Sequence, residues 1–305
     1  MGAKHFGARI TRLEDPVLLT GKGHYVDDIK LPGTLHACFV RSPHAHARIK
    51  SIDVTAAQAL PGVHAVYVAD DMPRRIATGQ IPMLVPNPTI KTPRTQIALA
   101  RDEVCYAGQT VAVAIADTRY LAEDAAAAVV VDYEMLPAAS DARDAVKEGA
   151  ARVHADLASN VAAFVPMAYG DVEAAFKNAQ HVFEEDIFLH RGGAMTLEGR
   201  AVLANYEPAG DTLTVWSATQ TPHLCRSTLA DLLERDLESI RVVAPFVGGG
   251  FGTKAPFYPE EAVIPAAAMK LGRPVRWQED RREHFLSSTQ ERDQYWKVEI
   301  GRAHV

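Results

Sequence analysis

Val247-Gly248-Gly249-Gly250-Phe251-Gly252-Thr253-Lys254 sets four glycines around one phenylalanine, leaving bare backbone on both sides of a single large side chain. Glycine costs roughly 0.5–1 kcal/mol within regular structure and is favoured where φ must be positive or where a ligand touches the main chain. The run reads as a loop built for close approach, with a plain turn between two elements as the alternative. Ile240-Arg241-Val242-Val243-Ala244 before it reads as a strand. After it, Pro259-Glu260-Glu261 opens a helix with acids in its first turn, Lys270 in its last and Gly272 as its stop. Loops between strand and helix are where alternating α/β regions tend to keep ligand sites.

Working outward, Pro274 to Trp277 and Trp296 to Ile300 read as strands, as do His181 to Leu189, Ala201 to Tyr206 and Leu213 to Ser217. Pro208-Ala209-Gly210-Asp211 supplies a hairpin turn between the last two of these. Thr221 and Pro222 start a helix whose inner face carries Leu224, Leu229, Leu232 and Leu233, and Asp171 caps another ending near Asn178. In the first half, Leu35 to Val40 and His64 to Val68 are short strands, and Thr55 caps a short helix between them. Residues 73–95 are proline-rich and form a surface loop or flap. Thr110 to Ala116, a helix from Tyr120 capped by Thr118, and Val129 to Tyr133 make a β-α-β pattern. An alanine-rich connection, 138–151, puts a domain boundary near residue 150, dividing the chain into 1–150 and 151–305.

At 305 residues, 48% hydrophobic and 23% charged, the composition is that of a globular protein with room for two domains. The net charge of −6 contains no basic block, so neither nucleic acid nor an anionic membrane is an expected partner. No apolar run after Lys4 suggests a leader, and Val111 to Ala116 and Ala125 to Val131 are too short to span a bilayer, so a cytoplasmic location is expected. Cys38, Cys105 and Cys225 lack CxxC spacing and read as free buried thiols, not as a zinc or iron–sulfur site. His44 and His46 could share one strand face, but with no third ligand they read as structural.

A nucleotide is the first ligand to consider for the glycine loop. A Walker A loop fails on spacing, since Lys254 comes one place late and Ala255 follows it. Gly250-Phe251-Gly252-Thr253-Lys254-Ala255 does fit GxGxxA, yet Pro256 and Pro259 keep a helix from starting at the loop. A dinucleotide site is therefore an alternative, not the main reading.

Separate segments point elsewhere. They are Gly21-Lys22-Gly23-His24-Tyr25-Val26-Asp27-Asp28-Ile29, Arg41-Ser42-Pro43-His44-Ala45-His46-Ala47-Arg48-Ile49, Pro61-Gly62-Val63, Val104-Cys105-Tyr106-Ala107-Gly108-Gln109 and Asp132-Tyr133-Glu134-Met135-Leu136-Pro137. Gly170-Asp171-Val172, Leu197-Glu198, Thr219-Gln220 and the glycine loop continue the series. In this order and spacing the chain resembles the N-terminal part of the molybdenum-binding large subunit of the xanthine dehydrogenase, aldehyde oxidase and aerobic carbon monoxide dehydrogenase family.

The resemblance implies an α+β fold, an α/β-hammerhead domain followed by the first part of a molybdopterin-binding α+β domain. It implies a molybdenum–molybdopterin cofactor, a cytosine dinucleotide form among the alternatives, contacted by Gly249, Gly250, Phe251, Gly252 and Gln220. No residue of this chain would ligate the metal directly. Gln220 matches a glutamine whose neutral amide donates to a metal oxo group, and Phe251 stands beside it at the reacting centre. Glu198 matches a glutamate near the pocket, with a strand-end carboxylate paired to Arg200 as the alternative. The implied reaction oxidises or hydroxylates a small organic substrate (an aldehyde, N-heterocycle or purine) or carbon monoxide with water-derived oxygen, and a glutamate serves as base. That glutamate belongs to a part of the family's subunit that follows residue 305. The expected partners are the remaining molybdenum-domain polypeptide, an Fe–S subunit and an FAD subunit, since no cluster or flavin motif occurs in this chain. A non-catalytic truncated or assembly module of the same fold is the alternative.

Overall fold

The computed structural model describes residues 6–90 and 93–302 of the chain. Its first part runs α1 (Asp15–Leu19), β1 (Leu35–Arg41), β2 (Ala47–Asp53), α2 (Thr55–Gln58), β3 (Val63–Tyr67) and α3 (Arg74–Thr78). Next come β4 (Glu103–Val104), β5 (Thr110–Ala116), α4 (Arg119–Ala128), β6 (Val130–Met135) and α5 (Ala142–Ala145). The remainder is α6 (Val172–Asn178), β7 (His181–Leu189), β8 (Ala201–Glu207), β9 (Thr212–Ser217), α7 (Pro222–Leu232), β10 (Ile240–Val243), α8 (Pro259–Leu271), β11 (Val275–Gln278), α9 (Arg281–Ser287) and β12 (Gln294–Arg302).

Seven strands form the main sheet in the order β10-β9-β8-β11-β1-β5-β3. Every residue of β5 is buried, as its unbroken apolar run requires of a strand covered on both faces. Val113 and Ile115 face a core shared with α7, α8 and Trp277, while Ala114 packs with Ala125 of α4. Helix α8 is apolar nearly all round and lies inside the molecule, against β8, β11 and β9. Its stop is as the sequence implies: Gly272 adopts φ +61°, a left-handed conformation that glycine enters without steric cost.

The sheet takes β1, β3 and β5 from before residue 150 and β8 to β11 from after it. The seam is a parallel pairing of Leu35 with Val275, beside which the Phe39 and Trp277 rings meet edge to face at 5.6 Å.

The β-α-β expectation needs correction. β5 is flanked on both edges by antiparallel partners, β1 and β3, so no place beside it is left for β6. β6 pairs instead with β2 in a second sheet of order β4-β2-β6, and β2 itself gave no clear signal in the sequence. Thr55 is the first residue of its helix, not the cap; the Asp53 carboxylate accepts from its amide. Thr118 does cap α4, accepting from the Leu121 amide at 3.3 Å. Within 73–95, Lys91 and Thr92 lie outside the described residues; α3 and the buried Ile76 and Ile81 tie the start of the segment to the core, while residues 84–88 are the exposed loop expected. A third sheet, β7 with β12, is a two-stranded ribbon with a continuous antiparallel register from His181↔Arg302 to Leu189↔Gln294.

Candidate functional site

Strand β10 delivers the chain to the glycine loop, where three residues take left-handed backbone: Gly249 (φ +95°), Phe251 (φ 51°) and Gly252 (φ +84°). For a phenylalanine this conformation costs roughly 1–2 kcal/mol. The reversal on either side of Phe251 turns its ring outward, 76% exposed. A Cβ on Gly250 would lie 2.5–2.7 Å from the Gln220 side chain, and one on Gly248 2.5 Å from the Glu198 Cβ. The glycines thus serve close approach in fact, first of all by the protein's own side chains.

Two residues hold the loop. Gln220 Oε1 accepts from the Gly252 amide at 3.0 Å, and the Gln220 amide donates to the Lys254 carbonyl at 2.9 Å. Glu198 Oε2 accepts from both ends of the loop at once, from the Gly248 amide at 2.7 Å and from Lys254 Nζ at 2.8 Å. The Lys254 side chain is fully buried, and burial, partly offset by Glu198, lowers its pKa. Below, Tyr258 Oη donates to the Thr253 carbonyl and accepts from the Thr289 amide, while Thr221 Oγ1 donates to the Ala255 carbonyl. Thr221 therefore stands at the cap position of α7 but spends its hydroxyl on the loop.

Under the loop lies a buried charge network that sequence reading missed. Arg200 donates to Glu279 (2.6 and 2.9 Å), Glu260 (3.0 Å) and Ser287 Oγ (2.7 Å), and its guanidinium stands 3.9 Å from the Tyr258 ring centroid. Arg41 joins Glu260 to Glu283 at 2.7 and 2.9 Å. Burial would raise the Glu260 carboxyl, but Arg200 and Arg41 together bring it below its ordinary value. Glu261 makes no ion pair among the described residues; burial raises it, opposed by hydrogen bonds from Ser217 Oγ and the Tyr258 amide and, more weakly, by the charge of Arg200. His284 completes the network between Glu279 and the Ala194 carbonyl at 2.9 and 3.0 Å. The available signal was Glu260-Glu261 leading into an apolar helix, since carboxylates wholly inside must be paired.

The structure therefore brings Gln220, Glu198 and the loop together, and takes other residues elsewhere. Glu198 pairs with Lys254, not with Arg200. His44 and His46 precede β2 and share no strand face; His44 meets the Tyr133 ring, and His46 lies between the Pro137 carbonyl and Glu103 at 2.7 and 2.5 Å. Only Cys225 is fully buried; Cys38 and Cys105 are half-buried, and burial pushes their thiols up to about 12 and about 11. Among the described residues, no group of three or more His, Cys, Asp or Glu is placed to hold a metal ion. Nor, among them, is any helix long and apolar enough to cross a membrane.

What the loop offers a ligand is hydrogen-bond donors. Among the described residues, the amides of Gly250 and Phe251 and the side-chain nitrogen of Gln220 donate to no protein acceptor. Consecutive amides at a turn into left-handed backbone form an anion-binding concavity. A Cβ at Gly252 would meet nothing within 4 Å, so that side of the loop is open. Helix α8 begins only at Pro259, its first turn closed by Tyr258 and Glu261. The loop consequently has no helix N-terminus to set on a pyrophosphate, which counts against the dinucleotide reading. Two cavities, of about 540 and 850 Å³, open around Cys105 and Tyr106, and no loop residue lines either.

Residues 20–137 match the family model described as aldehyde oxidase and xanthine dehydrogenase, a/b hammerhead domain, and residues 153–304 match the molybdopterin cofactor-binding domain. The chain is 38% identical over 295 residues to the nicotine 6-hydroxylase large subunit of Paenarthrobacter nicotinovorans, covering 97% of this chain and 36% of that protein. It is 37% identical to the carbon monoxide dehydrogenase large chain of Hydrogenophaga pseudoflava, over 94% of this chain and 36% of the relative. Quinoline 2-oxidoreductase from Pseudomonas putida 86 superimposes with a TM-score of 0.88 at 38% identity, covering 96% of this chain and 37% of that one. The chain thus spans little more than a third of the length of these relatives. With a hammerhead domain and a molybdopterin cofactor-binding domain matched in sequence and fold, the chain belongs to the molybdenum-binding large-subunit family of xanthine dehydrogenases and aldehyde oxidases.

Proposed function

We propose that the glycine loop and Gln220 form one wall of a molybdenum–molybdopterin site, in an enzyme that oxidises or hydroxylates a small organic substrate or carbon monoxide. The observation that carries this reading is the set of three unpaired donors, the Gly250 and Phe251 amides and the Gln220 side-chain nitrogen, around open backbone. Such donors fit a group bearing oxo or phosphate oxygens, because fixed amides stabilise negative charge without reorganising. When bound, a molybdenum pterin supplies the two-electron chemistry that inserts a water-derived oxygen.

The chain's own residues position and shield. Gln220 is fixed through its carbonyl on the Gly252 amide, which leaves its NH2 to donate; a neutral amide donates without losing its proton. Phe251 offers an exposed ring beside these donors as a wall for the substrate. Glu198 does not serve as a base, for its carboxylate is committed to the Gly248 amide and Lys254. The base glutamate is supplied by polypeptide beyond this stretch, and electrons leave to Fe–S and FAD partner subunits. The cytosine dinucleotide form of the pterin is among the forms this reading admits. In this reading the complex is cytoplasmic. A hammerhead domain over 1–150 and the cofactor-binding portion over 151–305 agree with the two family matches on either side of residue 150.

Molybdenum and pterin analysis of the complex purified from its native host tests the reading. Stoichiometric metal and pterin are expected, and Gln220→Ala should keep both while turnover falls by at least tenfold. An intact complex with neither metal nor pterin would leave the non-catalytic module in place of the enzyme.

A further inference from the structure

The ribbon of β7 and β12 carries a row of exposed apolar side chains. Its register places Phe183 opposite Ile300, Glu185 opposite Val298, Ile187 opposite Trp296 and Leu189 opposite Gln294, so these side chains share one face. The other face holds Glu184 with Glu299, Asp186 with Lys297, and Phe188 stacked on Tyr295 at 4.5 Å. Helix α6 covers one end of that polar face, where a Cβ on Gly301 would meet Ala179 and Phe176 at 3.1–3.2 Å. Arg143 covers its other end, 4.3 Å from the Tyr295 ring. Among the described residues the first face has no such cover: Phe183 is 67% exposed, Ile300 61% and Trp296 51%. A two-stranded ribbon is marginal in water by itself, and a contiguous apolar patch of this kind marks an interaction site.

We infer that this apolar face is the seat of the remaining molybdenum-domain polypeptide, the part of the large subunit that lies outside the stretch matched here. The inference rests on the proposed function in taking that polypeptide as the partner. The occupant is argued from length: quinoline 2-oxidoreductase has the same fold over this stretch within a chain of which the stretch is only 37%. Additional polypeptide thus accompanies this fold in a relative, at the high effective concentration that covalent linkage gives. The occupant's chemistry follows from the face: a segment presenting apolar side chains to Phe183, Ile187, Trp296 and Ile300, with one cation set against Glu185. Glu185 has no ion pair among the described residues, whereas its neighbour Glu184 is bound to Lys297 at 2.6 Å.

The test is photo-cross-linking in the native-host complex, with p-benzoylphenylalanine replacing Trp296 on the apolar face or Glu299 on the polar face. The replacement at 296 is one exposed aromatic for another and leaves the fold intact. A cross-linked peptide pair is expected from position 296 but not from 299, joining it to a peptide that aligns with the part of the nicotine 6-hydroxylase large subunit outside the matched third. The pair counts whether that peptide is on the same chain or another. A cross-link from 296 to a second copy of this chain, to an Fe–S or flavin subunit, or to nothing, overturns the inference; equal cross-linking from 299 overturns the choice of face. Molybdenum and pterin are assayed in the same preparation. A loaded complex without the 296 cross-link rejects the docking face alone, and the cross-link in a pterin-free complex rejects the functional reading alone.

Discussion

At the scale of single residues, the loop depends on two contacts made through glycine. Gly250 has no room for a Cβ because Gln220 occupies that space, so Gly250→Ala should displace the Gln220 amide instead of merely stiffening the loop. We expect Gly250→Ala alone to cost about 1–3 kcal/mol in thermal or denaturant unfolding, as overpacking does, and the pair Gly250→Ala with Gln220→Gly to recover at least half of it. Additive losses in that cycle would show that the two do not touch. Glu198 carries the second contact. Its removal leaves a buried ammonium without a partner, so Glu198→Ala should destabilise the chain by about 3–5 kcal/mol, while Glu198→Gln, which keeps an acceptor for the Gly248 amide, should cost less. Hydrogen exchange at Gly248 and Gly249 distinguishes the variants: faster exchange is expected in the first and near-normal exchange in the second.

Elements show where a carboxylate inside a helix leaves a pH signature. Glu261, in the first turn of α8, has its pKa raised by burial, so the folded chain binds its proton more tightly than the unfolded chain does. Stability from this group is present below the unfolded value near 4.5 and is lost as pH rises from there through the raised folded value. Glu261→Gln accepts from the Tyr258 amide through its single carbonyl oxygen and turns its NH2 to the Ser217 hydroxyl, which can accept, so both contacts are kept while the side chain cannot ionise. The variant should therefore melt higher than the parent at pH 7, with the difference closing toward pH 4; parallel curves across that range would reject the assignment. The boundaries of α8 were legible in the sequence, because Pro259, the following acids and Gly272 act locally. The burial of its acids was not, since Arg200 and Arg41 reach them from far along the chain. Likewise β5 was read correctly as a buried strand, yet its neighbours were not, because an apolar run states that both edges and faces are covered without naming by what. For the site, the glycine pattern alone marked the loop. The nearness of Gln220 came from the resemblance, and the clasp by Glu198 had no local signal because its donors lie some fifty residues away.

For the whole molecule, the decisive feature is that the main sheet is stitched from both ends of the chain. A fragment of residues 1–150 would lose β11 from the edge of β1 and Trp277 from beside Phe39. We expect that fragment to bind a hydrophobic dye and to lack a cooperative melting transition, where the full chain melts cooperatively; a sharply melting, dye-free fragment would contradict this. The same stitching bears on biosynthesis. Leu35 leaves the ribosome long before its partner Val275 is made, and at roughly 5–20 residues per second the interval is on the order of tens of seconds. Throughout that time the edge of β1 is an unpaired template next to an unfinished core, so nascent chains are at their most vulnerable to mispairing between neighbours on one message. A holdase that covered the early strands until β11 emerges would shield that edge for the whole interval.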